Sequence, residues 1–256
     1  MKKTILNSKN FYQTYFLDET PRPTIFIVPG GGYKYTSPRE SEPVAKAFLK
    51  HGFHAVILNY RETIETYPMP GTYLGEALKE VRKDERVSKV IGLGFSAGGH
   101  CLLEYCLHRK EYSLEDCPDL LILGYPVITS DPACAHQGSF EVLLGDRKED
   151  ENLRKHLSLE TQVTKDNAID LFLWGTYTDS SVPVENSIRL IEAYHKVGGN
   201  AEYHMFYFGG HGLSVATTES SNGDEKLESP YIAKWLDLAV DWIQSKLEKE
   251  KFKKAM

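Results

Sequence analysis

The sequence predicts an α/β fold, with a mostly parallel central sheet and helices on both faces. Short apolar runs rich in β-branched residues alternate with amphipathic segments of about 10 to 16 residues. The length of 256 residues, with 41% hydrophobic and 26% charged residues, is enough for a sizeable core. We therefore predict a single domain over residues 1–256.

The predicted elements follow in a regular order. An antiparallel strand over residues 11–17 precedes six further strands, predicted at 24–29, 54–60, 89–94, 120–127, 170–176 and 201–208, of which the first two are of the buried type. Helices are predicted between and after them, at 42–53, 72–85, 97–108, 183–198 and 231–247. The alternation breaks only at about 128–168, which is rich in charge, and we predict a small cap insertion there.

Charge and cysteine content narrow the possible partners. The net charge of −6 and the lack of a basic stripe argue against nucleic acid. No apolar stretch reaches a signal-peptide core or a membrane span, so we expect a cytoplasmic protein without a membrane partner. The four cysteines show neither a CxxC pair nor metal spacing, so we expect free thiols and no metal. The oligomeric state stays open, with a homodimer as one option.

The stretch "GLGFSAGGH", from Gly92 to His100, connects a predicted strand to a predicted helix. It contains G-x-S-x-G, which a chain of this length shows by accident about one time in ten. The strand–turn–helix context is the one that a nucleophile elbow requires. Gly94 and Gly98 would relieve crowding around a strained serine. We predict Ser96 as a nucleophile, with a packing turn as the alternative.

A serine needs a base, and the base needs an acid that orients it. In a parallel sheet these partners belong on loops after later strands, in the order serine, acid, histidine. Asp179 follows the predicted strand at 170–176, and His211 lies between glycines after the last predicted strand. We predict His211 as general base and Asp179 as its acid, with Glu185 as the alternative acid.

Backbone N–H groups that face a developing oxyanion are worth about 3–4 kcal/mol each. The stretch "IVPGGGYKY" places three glycines directly after an early strand. We predict that the N–H groups of Gly31, Gly32 and Ala97 form an oxyanion hole, with a flexible turn as the alternative for the glycines.

These residues resemble the α/β-hydrolase superfamily, and more narrowly its hormone-sensitive-lipase-like and acetylxylan-esterase-like carboxylesterases. The matching stretches are "PGGGY", "GFSAGGH", "GYPVI", "SFEVLLG", "GTYTDSSVPVENS" and "FGGHGLS", in family order along most of the chain. The resemblance implies an α/β-hydrolase fold, a Ser96–His211–Asp179 triad, an acyl-enzyme intermediate and no cofactor. Pro29 stands where lipase-like relatives usually carry histidine, which weakens the lipase interpretation.

The predicted substrate is a small-molecule ester with a short acyl group, from acetyl to butyryl. A sugar is one option for its alcohol. Tyr35 offers an aromatic face. Four side chains are predicted to line the pocket, with core packing as the alternative: Tyr33, Tyr125, Phe140 and Leu143. A prolyl-oligopeptidase-like peptidase and a non-catalytic ligand-binding homologue are the alternative functions. The polar stretch 217–229 is predicted as an exposed loop near His211.

Overall fold

The computed structural model of the chain describes residues 1–6, 9–114 and 116–255, with side chains as far as residue 249. Its eight-stranded sheet has the spatial order β1-β2-β4-β3-β5-β6-β7-β8. The first two strands pair antiparallel, as do β2 and β4, and the other neighbours are parallel. The strands are β1 Lys2–Ile5, β2 Phe11–Tyr15, β3 Arg22–Val28, β4 His54–Asn59, β5 Val87–Phe95, β6 Leu120–Gly124, β7 Leu171–Thr176 and β8 Ala201–Phe206.

Helices cover both faces of the sheet because its central strands are apolar on both faces. In β3, Ile25 and Ile27 belong to one core cluster, and Phe26 and Val28 belong to the other. The first cluster contains α1 and α8, and the second contains α2, α3 and α6. The helices are α1 Glu42–Lys50, α2 Met69–Val81, α3 Ser96–His108, α4 Gln137–Leu144, α5 Glu151–His156, α6 Glu185–Val197, α7 Thr218–Ser221 and α8 Trp235–Ala255.

The predicted fold class is confirmed, and the differences are one missed edge strand and the ends of several elements. Strand β6 stops at Gly124, three residues early, because Tyr125 has φ +36° and leaves the extended conformation. The sequence analysis missed β1, a short and largely exposed edge strand whose apolar pattern is weak. Helix α8 begins at Trp235 rather than at residue 231 and continues to Ala255.

Two segments outside the main sheet and its helices also bear on the predictions. The stretch 217–229, predicted as an exposed loop, contains helix α7, in which Ser220 and Ser221 are buried. Residues 128–168, called the 128–168 segment below, contain α4, α5 and two short 3₁₀ turns. Within the described ranges, no helix combines the length and apolar character needed to cross a membrane.

Candidate active site

Ser96 lies at the sharp junction between β5 and α3. Its φ of +51° is a strained conformation for a non-glycine residue. A Cβ atom on Gly98 would overlap the carbonyl oxygen of Val28, and one on Gly94 would lie 2.6 Å from the Cα of Gly99. The glycines therefore let α3 approach the sheet backbone closely, which corrects our expectation that they relieve crowding against the serine itself.

The loops after β7 and β8 bring the predicted acid and base to Ser96. The Nε2 atom of His211 lies 2.8 Å from the Oγ of Ser96, and its Nδ1 lies 2.7 Å from the Oδ2 of Asp179. Asp179 is only 6% exposed, and its Oδ1 accepts N–H groups from Ser181 and Val182 at 2.9 Å each. Both oxygens of the acid are thus occupied, which fixes its orientation toward the imidazole.

Hydrogen bonds on either side of His211 hold its glycine-rich loop in place. The carbonyl oxygen of Gly209 accepts from the hydroxyls of Thr176 and Thr178, and that of Gly212 accepts from Arg39. Glu185, the alternative acid, is exposed in the first turn of α6. The structure therefore places Asp179, rather than Glu185, beside the imidazole.

The glycine loop after β3 lies directly beside the serine. A Cβ on Gly30 would be 2.9 Å from the Cβ of Ser96, and Gly31 and Gly32 have φ values of +119° and +61°. In the described part of the chain, neither Gly31 N–H nor Gly32 N–H donates a hydrogen bond within the protein. Ala97 lies in the first turn of α3, where N–H groups have no partner inside the helix. These groups are free for a ligand, as an oxyanion hole requires.

The sequence analysis missed Glu40, a buried acid that joins the glycine loop to the histidine loop. It is 3% exposed, its Oε2 accepts the N–H of Gly30 at 2.8 Å, and its Oε1 accepts the hydroxyl of Tyr125 at 2.7 Å. The Tyr125 oxygen in turn accepts the N–H of Ser214 at 2.9 Å. Nothing in its polar neighbourhood "SPRES" marks this acid as buried.

We expect Glu40→Gln to lower kcat about 10- to 100-fold with little change in KM, because displacing the oxyanion loop misaligns the reacting groups. Gly30 and Tyr125 donate to different carboxylate oxygens, and in glutamine one of those two positions becomes an NH2 group that cannot accept. Steady-state kinetics on a short ester measure the effect. Glu42→Gln, on the exposed start of α1, is the matched control. An unchanged kcat in Glu40→Gln would contradict the positioning role.

The four residues predicted to line the substrate pocket are buried in the hydrophobic cores and do not line an open cavity. Tyr33, Tyr125, Phe140 and Leu143 are only 1–3% exposed. The Tyr33 hydroxyl lies 2.8 Å from the Nδ1 of His100, and the Tyr125 ring packs on His211 with centroids 4.9 Å apart. We therefore assign these side chains packing roles, which corrects the pocket prediction. Tyr35, 57% exposed beside the glycine loop, keeps an open aromatic face.

A second histidine reaches the site from the 128–168 segment. The Cε1 of His136 would be 3.9 Å from a Cβ on Gly32, and its Nδ1 lies 2.7 Å from the Oγ of the buried Ser139. Burial lowers the pKa of His136, and the nearby His211 lowers it further. Because Ser139 engages Nδ1, the Nε2 atom is the ring nitrogen left for a ligand beside the oxyanion loop. The sequence analysis missed it because the surrounding stretch carries no motif.

Comparisons with solved structures give close matches over nearly the whole chain. A carboxylesterase from Lactobacillus plantarum superposes with a TM-score of 0.83 at 28% identity, covering 96% of this chain and 97% of that one. An acetyl ester-xyloside bifunctional hydrolase from Caldicellulosiruptor lactoaceticus superposes with a TM-score of 0.80 at 34% identity, covering 92% and 88%.

Among curated sequences, the chain is similar to endo-1,4-beta-xylanase B of Butyrivibrio fibrisolvens. The identity is 33% over 231 residues, which cover 84% of this chain. The chain spans only 36% of that longer relative. No protein-family model matches the sequence.

Proposed function

Because the chain belongs to the carboxylesterases of the α/β-hydrolase superfamily, we propose that it hydrolyses short-chain acyl esters through Ser96, His211 and Asp179. The main support for this proposal is the pair of hydrogen bonds that connects the serine hydroxyl to the imidazole and the imidazole to the buried carboxyl group. The nucleophile, the base and the acid are already within hydrogen-bonding distance of one another, so proton transfer between them requires no rearrangement of the site.

Acylation begins at the Ser96 hydroxyl. His211 Nε2 takes its proton as Oγ attacks the ester carbonyl, and Asp179 stabilises the imidazolium that forms. The N–H groups of Gly31, Gly32 and Ala97 are placed to bind the oxyanion. The imidazolium then protonates the leaving alcohol, which departs as the acyl-enzyme forms.

Deacylation repeats the same chemistry with water. His211 takes a proton from the attacking water, a second oxyanion forms at the same carbonyl oxygen, and Ser96 leaves with the proton that His211 returns. The carboxylic acid is released and the enzyme regains its starting protonation state. The chain's own side chains and backbone supply every group in this cycle.

We place a sugar on the alcohol side of the ester. The relatives named for xylan and for an acetyl ester-xyloside support a carbohydrate, and the polar imidazole of His136 beside Gly32 can hydrogen-bond a sugar hydroxyl. The exposed ring of Tyr35, next to Gly31, offers an apolar face. An acetylated xyloside is the simplest compound that fits these features.

The acyl preference tests the substrate class. We expect kcat/KM for p-nitrophenyl esters to be highest from C2 to C4 and at least 10-fold lower at C12. Phe140 and Leu143, which were predicted to line the pocket, are packed in the core, so they offer no open apolar surface to a long chain. A faster reaction with the C12 ester would refute the short-chain proposal.

His136→Ala tests the sugar side of the site. We expect KM for an acetylated xyloside to rise about 10-fold, as the loss of one hydrogen bond of about 1–1.5 kcal/mol implies. The KM for p-nitrophenyl acetate should change little, because its leaving group has no sugar hydroxyl. His136→Gln, which keeps a donor, should restore part of the difference. An equal change in KM for both substrates would show that His136 does not bind the alcohol part of the ester.

A further inference from the structure

Three side chains that commonly bind metals meet at the far end of α3. His108 ends that helix, Glu111 lies in the following turn, and His156 ends α5 in the 128–168 segment. Their candidate ligand atoms all lie within 4.8 Å of one another. Twelve residues along α3 separate His108 from Ser96, which is about 18 Å along the helix axis. The cluster is therefore separate from the active site.

His108 is held as a metal-binding imidazole would be. Its side chain is 7% exposed, and its Nδ1 lies 3.2 Å from the Oε1 of Glu104, whose Oε2 accepts the hydroxyl of Tyr112. A carboxylate on Nδ1 places the proton there and leaves the lone pair on Nε2. Among the described residues, this buried Nε2 has no hydrogen-bond partner.

The side chain of Gln162 also interacts with the His108 ring, but it does not donate a hydrogen bond to that lone pair. Its amide nitrogen donates to a threonine hydroxyl at 2.7 Å and to a backbone carbonyl at 3.4 Å. A buried lone pair without a donor costs free energy. A cation bound at Nε2 would remove that cost.

His156 and Glu111 supply the other two ligands. The Nε2 of His156 lies 3.5 Å from the Oε2 of Glu111 and 3.2 Å from the Tyr67 hydroxyl. Its ring stacks on His108 with centroids 4.1 Å apart and an interplanar angle of 22°. An imidazole binds a metal in its own plane, so the His156 ring has to turn on binding. Its side chain is 30% exposed, so part of the ring faces solvent rather than packed neighbours.

We propose that His108, Glu111 and His156 bind a divalent transition metal of the zinc class. Two imidazole nitrogens and one carboxylate oxygen are ligands that Zn²⁺ commonly takes in proteins, with water in the fourth position. The ligands come from the end of α3, the turn after it and the end of α5, so the ion links the 128–168 segment to the central fold. The site stabilises that attachment and takes no part in ester hydrolysis.

Zinc titration of untagged, chelator-treated protein tests the site. Isothermal titration calorimetry should show one equivalent of Zn²⁺ per chain, and the melting temperature should rise by several degrees at saturation. His156→Ala and Glu111→Gln should each weaken binding at least 10-fold while esterase activity is retained. His195→Ala, which removes an exposed histidine on α6, is the matched control and should bind as wild type does.

Three outcomes overturn the proposal. One is the lack of saturable binding by the folded wild-type chain. The second is wild-type affinity in both His156→Ala and Glu111→Gln. The third is binding that is lost in His136→Ala instead, which would place the ion at the active site and would equally reject this cluster. Because Glu111 is more than half exposed, its variant keeps the test valid even if His156→Ala folds poorly.

Discussion

Replacing Ser96 with alanine is expected to lower kcat for a short p-nitrophenyl ester about 10⁵- to 10⁶-fold. The change removes the nucleophile. The oxyanion donors remain, but His211 no longer has a serine hydroxyl proton to accept. Ser96 is 5% exposed and adds only one oxygen beyond alanine, so the elbow should keep its shape. Kinetics, together with a thermal melt, measure the loss of activity separately from the loss of fold.

The control for this variant lies on β5, the strand that precedes Ser96. Ser88→Ala, near the exposed start of β5, should match wild type in both measurements. A fluorophosphonate probe should label wild type at Ser96 and leave Ser96→Ala unlabelled. Absence of labelling in the wild type, with no esterase turnover, would favour the non-catalytic homologue. Full activity in Ser96→Ala would end the triad proposal.

The fold was predictable because its signals are local. A strand buried on both faces must be apolar along its whole length, so runs such as 24–29 and 54–60 were recognisable without knowing their neighbours. The ends of elements were less predictable. The stop of β6 depends on the positive φ of Tyr125, which its tertiary contacts with Trp174 and His211 help to hold.

The predicted triad residues come together because chain order and sheet topology constrain them jointly. Parallel strands deliver their following loops to one edge, so Asp179 and His211 had few possible positions. The residues that the sequence analysis missed depend on contacts distant in sequence. Glu40 meets Tyr125, 85 residues away, and only that pairing identifies it as a buried acceptor. His136 is likewise identified only by its approach to Gly32.

Asp179→Asn is expected to lower kcat about 10⁴-fold with the fold intact. The backbone N–H groups of Ser181 and Val182 donate to Oδ1, so the asparagine oxygen should take that position. Its amide nitrogen then faces His211 Nδ1 and donates to it. The imidazole proton moves to Nε2, which can no longer accept the proton of the Ser96 hydroxyl. Kinetics on p-nitrophenyl acetate measure the loss.

The controls for this variant decide between the two candidate acids. Asp166→Asn, on an exposed loop, should leave kcat unchanged. Glu185→Gln should cost less than 3-fold, since the exposed carboxylate of Glu185 only complements the N-terminal dipole of α6. A loss below 10-fold in Asp179→Asn, together with a large loss in Glu185→Gln, would transfer the acid role to Glu185. That result would require the histidine loop to adopt a different position during catalysis, because His211 now contacts Asp179.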